Sequence, residues 1–367
     1  MDSIIPAPTP TPTITFEFNG KAWEYFRIWI VNVCLTIITL GIYSPWAKVR
    51  QRRYFYGSTR LAGASFDYVA KPWNILKGRV LALGVLVMFG VVDHFWPIFI
   101  SLFSLAFIVA LPWLIIRTLR FNYFNTVYRN LRLGFKADYL DALVLFILLP
   151  SVAVISLGLA LPWVTSQQKK FFVNNSNYGN SHFKVDLTAG DFWTIIFNLF
   201  FYIIFFVAII YSLNGLIGYF GPHVELSYIK SLVQSITEED QNKILSFATS
   251  FGALLFYGFV ILFIKLYMEV AIFNLIWNNT QISDIRFQSR LEFSQMFGMY
   301  LTNILAIIFS FGLLIPWAKI RVVRYRLESL SVISSPDQLE SFAAGQGQAV
   351  GAFGEEISDF LDMDIGM

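Results

Sequence analysis

The sequence predicts an all-α polytopic membrane protein: about seven hydrophobic helical segments in five pseudo-repeats, with short β-strands at the membrane interface. Three observations predict it. The first is composition. Of 367 residues, 56% are hydrophobic and only 14% charged, and 38 are phenylalanine. Mean hydropathy is +0.59. A soluble domain carries about 25% charged residues, and so apolar a chain lacks the polar groups to cover a soluble globule. The second is a set of apolar runs near 25–43, 80–92, 96–116, 139–163, 193–212, 245–264 and 296–315. About 20 apolar residues span a bilayer, and FWTIIFNLFFYIIFFVAIIYSL (192–213) is the plainest case. The third is a recurring Pro-Trp anchor with other residues at fixed spacings around it.

Residues 1–13, MDSIIPAPTPTPT, predict an extended, disordered tail. They lack the basic start and apolar core of a secretory signal. FEFNG (16–20) then opens the first unit as a short strand. The anchors follow at Pro45-Trp46, Pro112-Trp113, Pro162-Trp163 and Pro316-Trp317, with a degenerate copy at Leu266-Tyr267. Gly41, Gly158 and Gly312 stand four residues before three of the prolines, and Thr39, Ser156 and Ser310 six before. A small polar pair lies 13 and 14 residues after each anchor: Ser58-Thr59, Asn125-Thr126, Asn175-Ser176, Asn279-Thr280 and, weaker, Ser329-Leu330. Phe66, Phe183 and Phe287 come 21 residues on, in the strand-like pieces SFDY, HFKVD and IRFQS, and the second copy runs on to Phe135.

Each unit thus reads strand, apolar helix or helices, Gly-x-x-x-Pro-Trp, basic-aromatic helix, polar pair, next strand. The units fall at about 14–64, 65–133, 134–181, 182–284 and 285–332. Residues 333–367 hold seven acidic and no basic residues and predict a mostly disordered acidic tail. Its stretch GEEISDFLD (354–362) offers one acidic amphipathic turn for docking a partner protein.

Glycine and proline end or kink a helix near the membrane surface. Tryptophan prefers the interface, where its ring is half buried and its N–H stays wet. Lys48, Arg50, Arg52 and Arg53, and likewise Lys319 and Arg321, can then lie along the headgroups. Outside the acidic tail the chain carries 27 basic and 17 acidic residues. This suits the bilayer as partner, through anionic lipid headgroups. It excludes nucleic acid, because the basic clusters abut the spans. Asn32 and Asn303 fall within short apolar runs. They are the candidate polar pathway residues, the competing role for an intramembrane Asn being a helix–helix hydrogen bond.

No enzyme chemistry is legible, and no catalytic residue, metal or cofactor is expected. Cys34 is the sole cysteine, so neither an intrachain disulfide nor a thiolate cluster can form. His94, His182 and His223 are far apart in sequence, and no phosphate-loop, dinucleotide, zinc-protease or serine-elbow motif occurs.

Through GIYSPWAKVRQRRYFYGSTRLAGASFDY (41–68), LLIPWAKIRVVRYRLESLSV (313–332) and the ending GEEISDFLDMDIG (354–366), the chain resembles the YjgN family of bacterial inner-membrane proteins. The resemblance covers essentially the whole chain. It implies several spans and a bacterial inner-membrane location, and supplies no substrate or site residue.

Two topologies fit the charge distribution. If all seven runs cross, 19 Lys and Arg lie inside and eight outside. If the short units return as re-entrant hairpins, every Pro-Trp helix faces the cytoplasm, and only Lys230 and Lys243 lie outside. Both place the C-terminus in the cytoplasm. The repeats and interrupted helices favour a transporter or channel-like protein. The alternative is a membrane scaffold or envelope-organising protein that binds anionic lipids and a partner.

Overall fold

The computed structural model describes residues 12–220 and 238–351. The first strand, β1 (Thr13–Thr15) with β2 (Glu17–Phe18), leads into helices α1 (Ala22–Ile38) and α2 (Ser44–Ser58). A strand hairpin follows, β3 (Thr59–Leu61) and β4 (Ala64–Tyr68). Then come α3 (Pro72–Phe95), α4 (Ile100–Phe124), β5 (Thr126–Tyr128) and β6 (Leu131–Phe135). The third helical segment is broken: α5 (Tyr139–Leu143), a π-turn at Val144–Leu148, α6 (Leu149–Ile155) and α7 (Leu161–Asn174). Pro150 has no amide to donate, and the widened turn just before it absorbs the defect. Strands β7 (Ser176–Tyr178) and β8 (Ser181–Val185) lead to α8 (Ala189–Phe220). After α9 (Glu238–Asn278) come β9 (Thr280–Ile282), β10 (Ile285–Ser289), α10 (Phe293–Phe309), α11 (Ile315–Glu328), β11 (Leu330–Ile333) and α12 (Pro336–Gly351).

The expectation of an all-α protein is overturned. Eleven short strands form one antiparallel sheet in the order β1-β11-β10-β9-β8-β7-β6-β5-β4-β3-β2. The two ends of that order are neighbours in sequence. β1 pairs with β11, Ile14 facing Val332, while β2 pairs with β3, Phe18 facing Thr59. Between them the Phe16 amide donates to the Leu330 carbonyl at 3.1 Å. Residues 13–18 therefore close the sheet into a barrel, and closure removes the open strand edges. Two-residue turns with left-handed residues, such as Ala62-Gly63 and Arg129-Asn130, join the sequential strands. Among the described residues no strand exceeds five residues, so none carries enough alternation to stand out beside the apolar helices.

The count of seven spans is corrected as well. Among the described residues four helical segments are long and apolar enough to cross a membrane: Pro72–Phe95, Pro97–Phe124, Ala189–Ile209 and Ser250–Asn278. Runs 25–43, 139–163 and 296–315 are short helices whose apolar turns lengthen the run without lengthening the helix. Each of these helices folds back through its turn into the Pro-Trp helix.

The chain divides into two compact units, Gly190–Ile272 forming the second. Within it α8 and α9 meet through aromatic edges, Phe206 against Phe263 at 5.0 Å and Tyr202 against Tyr267 at 5.4 Å between ring centroids. The barrel lies wholly in the first unit. Within the stretch expected to be a disordered tail, Pro336–Gly351 form α12. The acidic segment 354–362, and His223 and Lys230, lie outside the described residues.

Candidate functional site

Two features of the first unit bear on function: the turns of the short helical hairpins and the interior of the barrel.

Each short hairpin turns the same way. α1 ends with Leu40 and Gly41 at φ +49° and +92°, and Leu157-Gly158 and Phe311-Gly312 repeat this within a few degrees. The Gly41 amide donates to the Thr36 carbonyl and the Leu40 amide to Ile37, a left-handed helix cap that Gly158 and Gly312 share. The Thr39, Ser156 and Ser310 hydroxyls each accept an amide four residues on, at 3.0 Å. Hence the fixed spacing: the hydroxyl and the glycine build the turn, and the proline starts the returning helix. Leu40, Leu157 and Phe311 are 94%, 94% and 97% exposed. Pro112 lacks the glycine, and there α4 runs on unbroken.

The prolines Pro45, Pro112, Pro162 and Pro316 are fully buried. Trp113, Trp163 and Trp317 keep exposed rings, and Trp46 packs edge-on against Trp73. Arg117 and Arg321 lie over Trp113 and Trp317 at 5.0 and 5.4 Å. Lys48 and Arg50 are exposed, and Lys319 lies 5.4 Å from the Phe55 ring. Asn32 and Asn303 are buried and donate across their hairpins to the Ala47 and Ala318 carbonyls at 3.4 and 3.5 Å. The hairpin turns thus fall beyond them, at Leu40 and Phe311. Arg321 donates to the Asn303 Oδ1, whereas Asn32 Oδ1 has no partner and Arg50, at the matching place, is exposed.

The polar pairs join helix to barrel. Thr59, Thr126, Ser176, Thr280 and Ser329 each donate to the carbonyl four residues earlier, locking the last turn above the strand. Asn174 and Asn278 accept the amides of Val185 and Ser289, fixing each helix end to the second strand of a hairpin.

Inside the barrel lies a cavity of about 620 Å³. Phe16, Phe66, Tyr128, Leu133, Phe183 and Phe287 line its wall. Phe55, Tyr56, Asn122, Tyr123, Trp277 and Leu327, at the ends of four helices, frame one mouth. Leu339, Phe342 and Ala343 of α12 cover the other. There Gln346 donates to Ser181 Oγ and accepts from the Asn180 amide at 2.9 and 2.7 Å. Tyr128 and Tyr178 donate to the Leu61 and Tyr128 carbonyls. Burial pushes both phenols up from their usual pKa. Sequence spacing alone marks Phe66, Phe183 and Phe287, and it carries no sign that they face one cavity. The structure bonds Arg52 Nη1 to the Tyr68 hydroxyl at 2.8 Å and to Asn122 Oδ1. No cluster of His, Cys, Asp and Glu among the described residues could hold a metal ion.

Apolar spanning helices together with a small closed barrel define a multi-pass membrane protein. The chain belongs to the family described as bacterial protein of unknown function (DUF898), whose model matches residues 13–360. It is 26% identical to the inner membrane protein YjgN of Salmonella typhimurium over 88% of this chain and 89% of that protein. It is 23% identical to YjgN of Escherichia coli K12 over the same shares. No solved structure matches the chain.

Proposed function

We propose that the protein is an inner-membrane carrier that takes a small apolar molecule from the cytoplasmic leaflet and holds it in its barrel. One observation carries this reading: a cavity of about 620 Å³ with an almost wholly apolar and aromatic wall, a size within the roughly 300–1,000 Å³ of small-molecule sites. A water-filled ion pathway would need polar groups along that wall.

In this reading both ends of every helical hairpin join the barrel. All Lys and Arg except Lys230 and Lys243 then share the barrel's side, 25 against 2, and the positive-inside rule makes that side cytoplasmic. The C-terminus lies there too. Arg79 of α3 donates to the Ser44 hydroxyl beside the first turn of α2. Beyond Arg79, α3 runs uncharged to Val92, about 20 Å at 1.5 Å per residue, most of a hydrocarbon core of roughly 30 Å. Arg79 and Ser44 therefore mark the headgroup level. The short hairpins dip only their apolar turns into the acyl boundary, and Lys48, Arg50, Lys319 and Arg321 meet anionic headgroups. Asn32 and Asn303 act as clasps between hairpin arms. The scaffold alternative rests on the basic-aromatic helices and on the acidic tail, whose residues 352–367 lie outside the described residues.

The test is binding of the apolar dye N-phenyl-1-naphthylamine to the purified full chain in non-ionic detergent. Saturable fluorescence enhancement at one site per chain, lost in Leu133→Trp with unchanged circular dichroism, supports the carrier. Only unsaturable partitioning overturns it.

A further inference from the structure

A cationic group, Arg52, is held beside the cavity through the lining residue Asn122, and its position points to the ligand class. Arg52 lies one turn before Tyr56 on α2. Its Nη1 is held by Asn122, a cavity-lining residue, and by the Tyr68 hydroxyl, and its guanidinium carbon lies 5.1 Å from the centroid of the Tyr68 ring. The nearby Arg53 Nε donates to the Tyr68 carbonyl. Among the described residues no carboxylate lies within ion-pairing distance of Arg52, Arg53 or Lys48. The Nη2 and Nε of Arg52 make no hydrogen bond there. A fixed, half-buried guanidinium with free donors beside an apolar cavity is a half-built site. It offers forked donors to a carboxylate or phosphate oxygen pair, and the cavity takes whatever apolar chain is attached.

We infer that the barrel binds a single-chain anionic amphiphile, its hydrocarbon tail in the cavity and its acidic head on Arg52. The inference rests on the carrier reading and narrows it. The mouth suits this ligand. Tyr56, Tyr123 and Trp277 are amphipathic rings of the kind that line a boundary between apolar and wet regions. From Lys48 at the headgroups to Tyr56 at the mouth is about 12 Å along α2. A lipid lifted from the leaflet thus travels a short way along a basic helix. The walls close round one chain, because α12 fills the far mouth with Leu339, Phe342 and Ala343.

The experiment compares two probes on the unaltered full chain in non-ionic detergent: a dansyl-labelled fatty acid and its methyl ester, which differ only in the head charge. The acid should bind at least about tenfold tighter, the scale of one charge-assisted hydrogen bond gained. Arg52→Gln should remove that preference, chiefly by weakening the acid, and Arg52→Lys should restore part of it. Equal binding of acid and ester by the unaltered chain overturns the anionic head and leaves the carrier reading standing. Binding of neither probe overturns both. Competition with palmitate and with lysophosphatidic acid separates the two head chemistries. Displacement by either supports the inference, and the tighter competitor names the head; displacement by neither overturns it.

Discussion

At the scale of single residues, the hairpin turns hold strain that the sequence pattern explains. A bulky L-residue in the left-handed region costs about 1–2 kcal/mol, yet Leu40, Leu157 and Phe311 all adopt it. Glycine follows each of them, so the second positive-φ position carries no penalty. Gly312→Ala should therefore lower stability by about 1 kcal/mol. Gly298→Ala, within helix α10 and with open space around its Cα, should raise it by about 0.5–1 kcal/mol. Thermal unfolding of the two variants in detergent checks the sign of each. The buried phenols set a pH limit. Tyr128 and Tyr178 have folded-state pKa values above 10.0 because burial disfavours the phenolate. Their stabilisation is complete below pH 10 and is lost as pH rises through the raised values. Tyr178→Phe removes one hydrogen bond at every pH, and its stability should fall less steeply than that of the unaltered chain between pH 10 and 12. Parallel slopes in denaturant titrations would contradict the assignment.

At the scale of elements, the Pro-Trp copies were legible because a turn imposes exact chemistry at fixed places. A hydroxyl, a glycine and a proline each do one job in Thr39–Pro45, Ser156–Pro162 and Ser310–Pro316. Whether a run crossed or turned was hidden, since Ile37, Leu40 and Ile42 at a hairpin tip are as apolar as any residue of α3. The strands were visible only as fragments. SFDY and IRFQS read as strand-like, but pairing between fragments leaves no mark on either one. Helix α12 was hidden because Ser, Gly, Ala and Gln dominate it, and its few apolar residues, Leu339, Phe342 and Ala343, gain meaning only from the cavity they cover. That helix should close the far mouth of the barrel to a second route of entry. Phe342→Ser with Gln346→Ala removes the packing of its ring against Tyr178 at 6.1 Å and its bonds to Asn180 and Ser181. Stopped-flow mixing with the naphthylamine dye should then show uptake several-fold faster, the scale expected for removing one hydrogen bond and one aromatic pair. An unchanged rate would show that the dye enters by the helix-framed mouth alone.

At the scale of the whole molecule, each of the five helical segments starts after one strand of the barrel and ends before another, and in the proposed orientation those strands lie on the cytoplasmic side. With Cys34 replaced by serine, single cysteines at Gln168 and Asn180 should resist a membrane-impermeant thiol reagent in intact cells and react after permeabilisation. Reaction in intact cells would reverse the orientation. The closing segment 13–18 has a further consequence, for the order of assembly. Four of the strand hairpins, β3–β4 to β9–β10, pair strands adjacent in sequence and can form as the chain emerges. Of the remaining pairings, the most distant joins β1 to β11, more than three hundred residues later. Such a long loop makes closure slow. The earliest strand must wait, unpaired, until nearly all the chain is made and its spanning helices are inserted. The ring can thus be sealed only on a membrane-bound chain, and a product truncated before Leu330 leaves an exposed strand edge.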